Sequence, residues 1–113
     1  MAENPKRDEI PPGTLYMLIL RMLASHGALH GYEIANAIQQ VSEDVLQVEE
    51  GSLYPALQRM LLKGWVTAEW GVTAGNRRAR YYRLTPAGTK QLNAEMQQYQ
   101  RVSGAIQKIL QTA

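Results

Sequence analysis

The run Gly51-Ser52-Leu53-Tyr54-Pro55-Ala56-Leu57-Gln58-Arg59-Met60-Leu61-Leu62-Lys63-Gly64-Trp65-Val66-Thr67-Ala68-Glu69-Trp70 changes its hydrophobic period halfway along. Up to Lys63, the residues Leu53, Leu57, Met60 and Leu61 recur at the spacing of one helix face. From Val66 onward, Val66, Ala68 and Trp70 alternate with Thr67 and Glu69, the two-residue period of a strand. Gly64 stands at the switch, where a helix end favours a left-handed residue. The pattern predicts a helix from about Ser52 to Lys63, capped by Ser52 and tolerating Pro55 in its first turn, followed by a strand.

Working downstream, Gly71 to Arg78 contains Gly71, Gly75 and Asn76 and reads as a hairpin loop. Ala79 to Thr85 reads as the second strand, with Tyr82 and Leu84 on one face and Tyr81 and Arg83 on the other. One of Tyr81 and Tyr82 is therefore expected in the core and the other toward a ligand. Thr85-Pro86 opens a last helix, Thr as cap and Pro at the first position, running to about Leu110. Upstream, a helix is expected from Gly13 or Thr14 to about Ser25, stopped by Gly27. Its stripe is Leu15, Leu18, Ile19, Met22 and Leu23, while Tyr16, Met17 and Leu20 fall outside it. A helix apolar nearly all round must be covered on both sides, which points to a partner subunit. A further helix spans about Gly31 to Val41, with Ile34, Ala37, Ile38 and Val41 inward. Ser42 to Glu50 is a polar connection with apolar points at Val45, Leu46 and Val48. Residues 1–11 read as a loose arm.

The chain has 113 residues, enough for one domain. Its 45% hydrophobic and 19% charged content is that of a globular protein. With 0 Cys, disulfides, thiolate metal sites and Cys nucleophiles are excluded, and the composition fits the cytoplasm. The polar start, Met1 to Ile10, does not read as a signal peptide, and none is expected. The longest apolar run, Leu15 to Leu20, is too short to span a bilayer, so no membrane partner is expected. Net charge is only +2, but it is unevenly placed. Arg59, Lys63, Arg77, Arg78, Arg80, Arg83 and Lys90 are seven bases against the single acid Glu69. Such a block is a solvated face or a polyanion-facing surface.

Three helices, a hairpin and a long closing helix match a winged helix-turn-helix: a mainly α (α+β) fold with a C-terminal dimerisation helix. The second and third helices form the pair, and the hairpin is the wing. Once the leucine stripe is buried, Ser52, Tyr54, Pro55, Gln58 and Arg59 remain exposed on the third helix. Such hydroxyl, amide and guanidinium groups suit base edges and phosphates. Arg77 and Arg78 beside Asn76 suit a phosphate or minor-groove clamp on double-stranded DNA. The expected division is an arm over 1–11, the winged domain over 12–85 and the dimerisation helix over 86–113. In that last helix Leu92, Met96, Tyr99, Ser103, Ile106 and Leu110 are spaced 4, 3, 4, 3, 4, a heptad seam interrupted at Ser103. With Tyr16 and Leu20 they are the expected homodimer interface.

The blocks Gly13-Thr14-Leu15 through Leu18, His30-Gly31-Tyr32-Glu33-Ile34, Gly51-Ser52-Leu53-Tyr54-Pro55-Ala56-Leu57, Gly64-Trp65-Val66 and Tyr81-Tyr82-Arg83-Leu84-Thr85-Pro86-Ala87-Gly88 resemble the PadR family of bacterial transcriptional regulators. The chain looks like the short branch of that family, and Val41 to Glu50 with the Trp70-Gly71 turn resembles its acidobacterial-type subgroup. The resemblance implies a homodimeric repressor on a palindromic operator, with a small hydrophobic effector as a candidate second ligand. It maps Ser52, Tyr54 and Arg59 onto the recognition helix and Arg77, Arg78 and Arg80 onto the wing. His30, Gly31 and Tyr32 map onto the start of the preceding helix. Lys63, at the end of the third helix, completes the DNA-binding set. The short closing helix implies an effector pocket that is reduced or absent.

Rival chemistries find little in these residues. His26 and His30 are four apart with Glu33 beyond, but Gly27 separates them, so turn and cap roles are expected rather than a metal site. No phosphate loop, G-x-S-x-G or H-E-x-x-H is present, so neither an enzyme nor a cofactor is expected. Trp65 and Trp70 are expected in the core, with Trp70 or Tyr16 as the alternative effector platform. The rival function is a winged-helix module that binds proteins, which would show an apolar patch on the third helix.

Overall fold

The computed structural model describes residues 8–113. The chain runs β1 (Asp8–Glu9), α1 (Leu15–His26), β2 (Leu29–His30), α2 (Gly31–Val41), β3 (Leu46–Gln47), α3 (Glu50–Leu62), β4 (Val66–Val72), β5 (Arg78–Leu84) and α4 (Pro86–Leu110). The main sheet has the order β2-β5-β4 and is antiparallel throughout. It is the expected wing hairpin with one short strand added at its edge. Residues 1–7, most of the expected arm, lie outside the described residues. Asp8 and Glu9 are not loose: they pair in parallel with Leu46 and Gln47, and the Asp8 N–H donates to the Val45 carbonyl at 2.8 Å.

Helix α1 is central. It packs against α2, α3, β5 and α4, which buries Met17, Ile19, Leu20, Met22 and Leu23 within one chain and leaves Leu15, Tyr16 and Leu18 half-buried. Leu20 is fully buried and Met17 nearly so. Tyr16 packs edge-on against Trp65, ring centroids 5.7 Å apart. Tyr16 is only half-buried, but for Met17 and Leu20 the expectation of a partner subunit is corrected: both are buried within one chain, where α4 folds back over α1. For the same reason Leu92 is core, only 3% exposed, and Met96 packs against it. Leu20 and Leu92 are not interface residues. Residue 86 begins a helix but no separate packing unit.

The termini of the helices follow local chemistry. Gly27 and Gly64 sit at φ 81 and 74, the left-handed region that stops α1 and α3. Helix α2 opens with a capping box. The Glu33 N–H donates to His30 Nδ1 at 3.4 Å, and the His30 N–H donates to Glu33 Oε1 at 3.1 Å. His26 Nδ1 lies 3.1 Å from the Met22 carbonyl oxygen, at the end of α1. Helix α3 starts two residues earlier than its sequence suggests, with Glu49 as cap and without a side-chain cap bond from Ser52. Pro55 consequently falls in the second turn, where it withholds an N–H from the helical ladder. Val41, expected inward, is 61% exposed because α2 ends there and the chain turns through left-handed Glu43 and Asp44.

Thr85 is the knot between wing and closing helix. Its hydroxyl donates to the Gly64 carbonyl at 2.7 Å and accepts from the Gly88 N–H at 3.0 Å; its own N–H donates to the Trp65 carbonyl at 3.1 Å. Gly88 is buried against that junction. A Cβ there would overlap the Trp65 carbonyl oxygen and come within 2.8 Å of Leu84 Cδ1.

Candidate nucleic-acid interface

Side chains of β5 alternate between two faces. Leu84, Tyr82, Arg80 and Arg78 share one, opposite Val66, Ala68, Trp70 and Val72 of β4. Near the helices this face is core: Val66 is buried and Tyr82 is 6% exposed. Tyr82 is thus the core tyrosine of the pair. Burial pushes its phenol above the ordinary 10.0, against the pull of the Arg80 charge. Further out, beyond the reach of the helices, the same face leaves the core and becomes one wall of a groove. Trp70, expected inside, is 62% exposed there. Its ring lies against two guanidinium groups, Arg78 at 4.7 Å and Arg80 at 5.8 Å from ring centroid to Cζ.

Helix α3 supplies the opposite wall. Leu53, Ala56, Leu57 and Met60 are buried, which turns Tyr54 and Gln58 outward. The Tyr54 ring rests on Gly31, where a Cβ would come within 2.9 Å of it. The start of α2 closes the end of the groove with His30, Tyr32 and Glu33. The His30 ring is edge-on to Tyr81 at 5.3 Å. The resulting groove has a volume of about 950 Å³. His30, Tyr32, Tyr54, Gln58, Arg77, Arg78 and Arg80 all line it, three separate segments of sequence brought to one surface. Ser52, Pro55 and Arg59 are exposed on α3 but outside that lining. Lys63 caps α3 with its ammonium 5.2 Å from the Trp65 ring, and does not join the groove.

Trp70, Thr73, Glu33, Tyr81 and Tyr82 also line the groove. Trp70 departs from the expected core position because strand alternation reports a face, and does not say where along that face the core ends. Among the described residues no carboxylate pairs with Arg77, Arg78 or Arg80. The groove therefore presents uncompensated positive charge among hydrogen-bonding and aromatic groups, the chemistry that phosphates and base edges accept. No described helix is long and apolar enough to cross a membrane.

Residues 19–94 match the model of the transcriptional regulator PadR-like family. Solved structures are similar over most of the chain. A transcriptional regulator from Clostridium thermocellum is 28% identical at a TM-score of 0.77, covering 85% of this chain and 92% of its own. A PadR-like transcriptional regulator from Bacillus cereus is 27% identical at 0.75, covering 89% and 95%. A PadR family transcription regulator from Clostridium difficile is 30% identical at 0.72, covering 87% and 99%. The quoted blocks, the wing-and-helix arrangement and these matches agree: the chain belongs to the PadR-like family of transcriptional regulators.

Proposed function

We propose that the chain is a sequence-specific regulator that binds duplex DNA as a homodimer. The observation that carries this reading is the groove in which Arg77, Arg78 and Arg80 of the wing face Tyr54 and Gln58 of α3. In it α3 enters the major groove and the wing follows the adjacent phosphates. Ser52 and Arg59, on the exposed face of α3, extend the contact along the duplex. The rival reading, a protein-binding module, needs an apolar patch on α3; the exposed side chains of α3 include the polar and charged Ser52, Gln58 and Arg59 beside Tyr54 and Leu62.

The dimer rests on the far half of α4. With 25 residues at about 1.5 Å each the helix is roughly 37 Å long, and only its first turns are buried. Beyond Met96 it exposes Tyr99, Val102, Ile106, Ile109 and Leu110. Tyr99, Ser103, Ile106 and Leu110 of the heptad seam remain available to a second copy. A cleft of about 440 Å³ between the start of α1 and α4, lined by Met17, Ala94, Tyr99 and Val102, is continuous with that stripe. A twofold pair through this surface sets two α3 helices on successive turns of a palindromic operator. Repression follows from occupancy of a promoter, and a small hydrophobic effector would act by changing the pairing at this cleft. Footprinting on the DNA upstream of the coding sequence is the test. A protected palindrome supports the reading; uniform, sequence-independent binding or none refutes it.

A further inference from the structure

An indole exposed at 62% on a wing calls for a reason other than packing. Trp70 is the direct cross-strand partner of Arg80, and Arg78 is the diagonal neighbour. Both guanidinium groups lie over its ring, where the ring quadrupole attracts them. Arg80 is also partly desolvated: its Nε is buried with no hydrogen-bond partner. An arginine whose stem is desolvated in this way presents its two Nη groups as its hydrogen-bonding end. Arg80 lines the groove, so that end meets whatever fills it. Arg77, by contrast, is exposed in the turn, and the Trp70 ring engages Arg78 and Arg80 rather than it.

We propose that Trp70 is a positioning residue, its ring attracting the Arg80 guanidinium at 5.8 Å so that this group meets one backbone phosphate of duplex DNA in a fixed, forked geometry. Arg80 is then a geometric contact, whereas Arg77 acts as a point charge. The inference rests on the DNA-binding reading above. A planar fork held against a ring loses less freedom on binding than a free side chain, and lysine cannot reproduce it.

The test uses the full chain and two labelled duplexes of about three helical turns: the DNA upstream of the coding sequence and a scrambled duplex of equal length. Arg77→Lys keeps the charge and should stay within about twofold of the parent affinity. Arg80→Lys also keeps the charge, yet should weaken both duplexes by about tenfold with an unchanged salt slope. Trp70→Ala should do the same, and Trp70→Phe, which keeps a ring face, should recover most of the loss. Because Trp70 acts through Arg80, Trp70→Ala should add nothing to Arg80→Lys, yet should add its full loss to Arg78→Lys, although Arg78 is nearer the ring at 4.7 Å. A merely structural role for Trp70 would instead multiply the Trp70 and Arg80 losses, and that result overturns the proposal. So does Arg80→Lys within twofold of the parent. If the parent chain binds neither duplex, the DNA-binding reading falls and takes this inference with it; parent binding with insensitive variants removes only the inference.

Discussion

Replacing Gly88 by Ala sets two effects of known size against each other. Within a helix, Ala is favoured over Gly by about 1 kcal/mol, from backbone entropy and propensity. At Gly88 the added Cβ meets the Trp65 carbonyl oxygen and, at 2.8 Å, Leu84 Cδ1. The first is backbone, held by the Thr85 N–H at 3.1 Å, so it cannot swing aside as a side-chain tip can. Overpacking of this kind costs about 1–3 kcal/mol or more, and loosening the Thr85 hydrogen bond adds about 1 kcal/mol. The net expectation is a loss of roughly 1–3 kcal/mol, a large share of the stability of a small domain. At about 4–6 °C per kcal/mol for a chain of this length, Tm should fall by roughly 4–18 °C. Gly104 provides the control, since it is in the same helix and a Cβ there meets nothing within 4 Å. Gly104→Ala should gain about 0.5–1 kcal/mol. Urea and thermal unfolding followed by circular dichroism read both. If the two variants shift in the same direction, the close approach at the Thr85 knot is not what Gly88 is for.

Further expectations follow the same residues. Arg77→Ala with Arg78→Ala should weaken all DNA sequences alike and reduce the slope of log K against log salt by about 0.9 per lost phosphate contact; an unchanged slope in a binding titration would remove the wing clamp. Gln58→Ala should leave unfolding untouched but relax base preference, by about 1–3 kcal/mol if the contact is bidentate; retained operator preference in a competition assay would place the readout elsewhere. Removal of 101–113 should yield monomers that keep a folded core, because Leu92 and Met96 stay; a dimer in sedimentation would place the interface elsewhere. Tyr82 holds its proton more tightly folded than unfolded, so its contribution is whole below pH 10.0 and declines above it; Tyr82→Phe should flatten that alkaline loss in unfolding titrations.

The junction at Gly64 and the Thr85-Pro86 helix start were legible because each rests on a local rule: a period change, a left-handed glycine, a cap followed by proline. The wing arginines and the outward side of α3 were legible for the same reason. What escaped depends on where distant segments meet. Leu20 reads as surplus and Leu92 as part of a dimer seam because nothing in a periodicity says that α4 returns over α1. The two-residue strands at 8–9, 29–30 and 46–47 are too short to carry any alternation. Trp70 was assigned the right face and the wrong environment. The start of α3 was placed late because Ser52 is a good cap residue in isolation, whereas the chain enters the helix at Glu49.

If the proposed dimer forms through the apolar far end of α4, that surface also sets how the protein would respond to its own abundance. When pairing through that stripe is incomplete, the amount of dimer rises with the square of the monomer concentration. Halving the protein in a cell would then cut the DNA-competent species about fourfold rather than twofold. A short helical tail would in this way turn gradual changes in synthesis into steeper changes at the promoter, with no effector present at all.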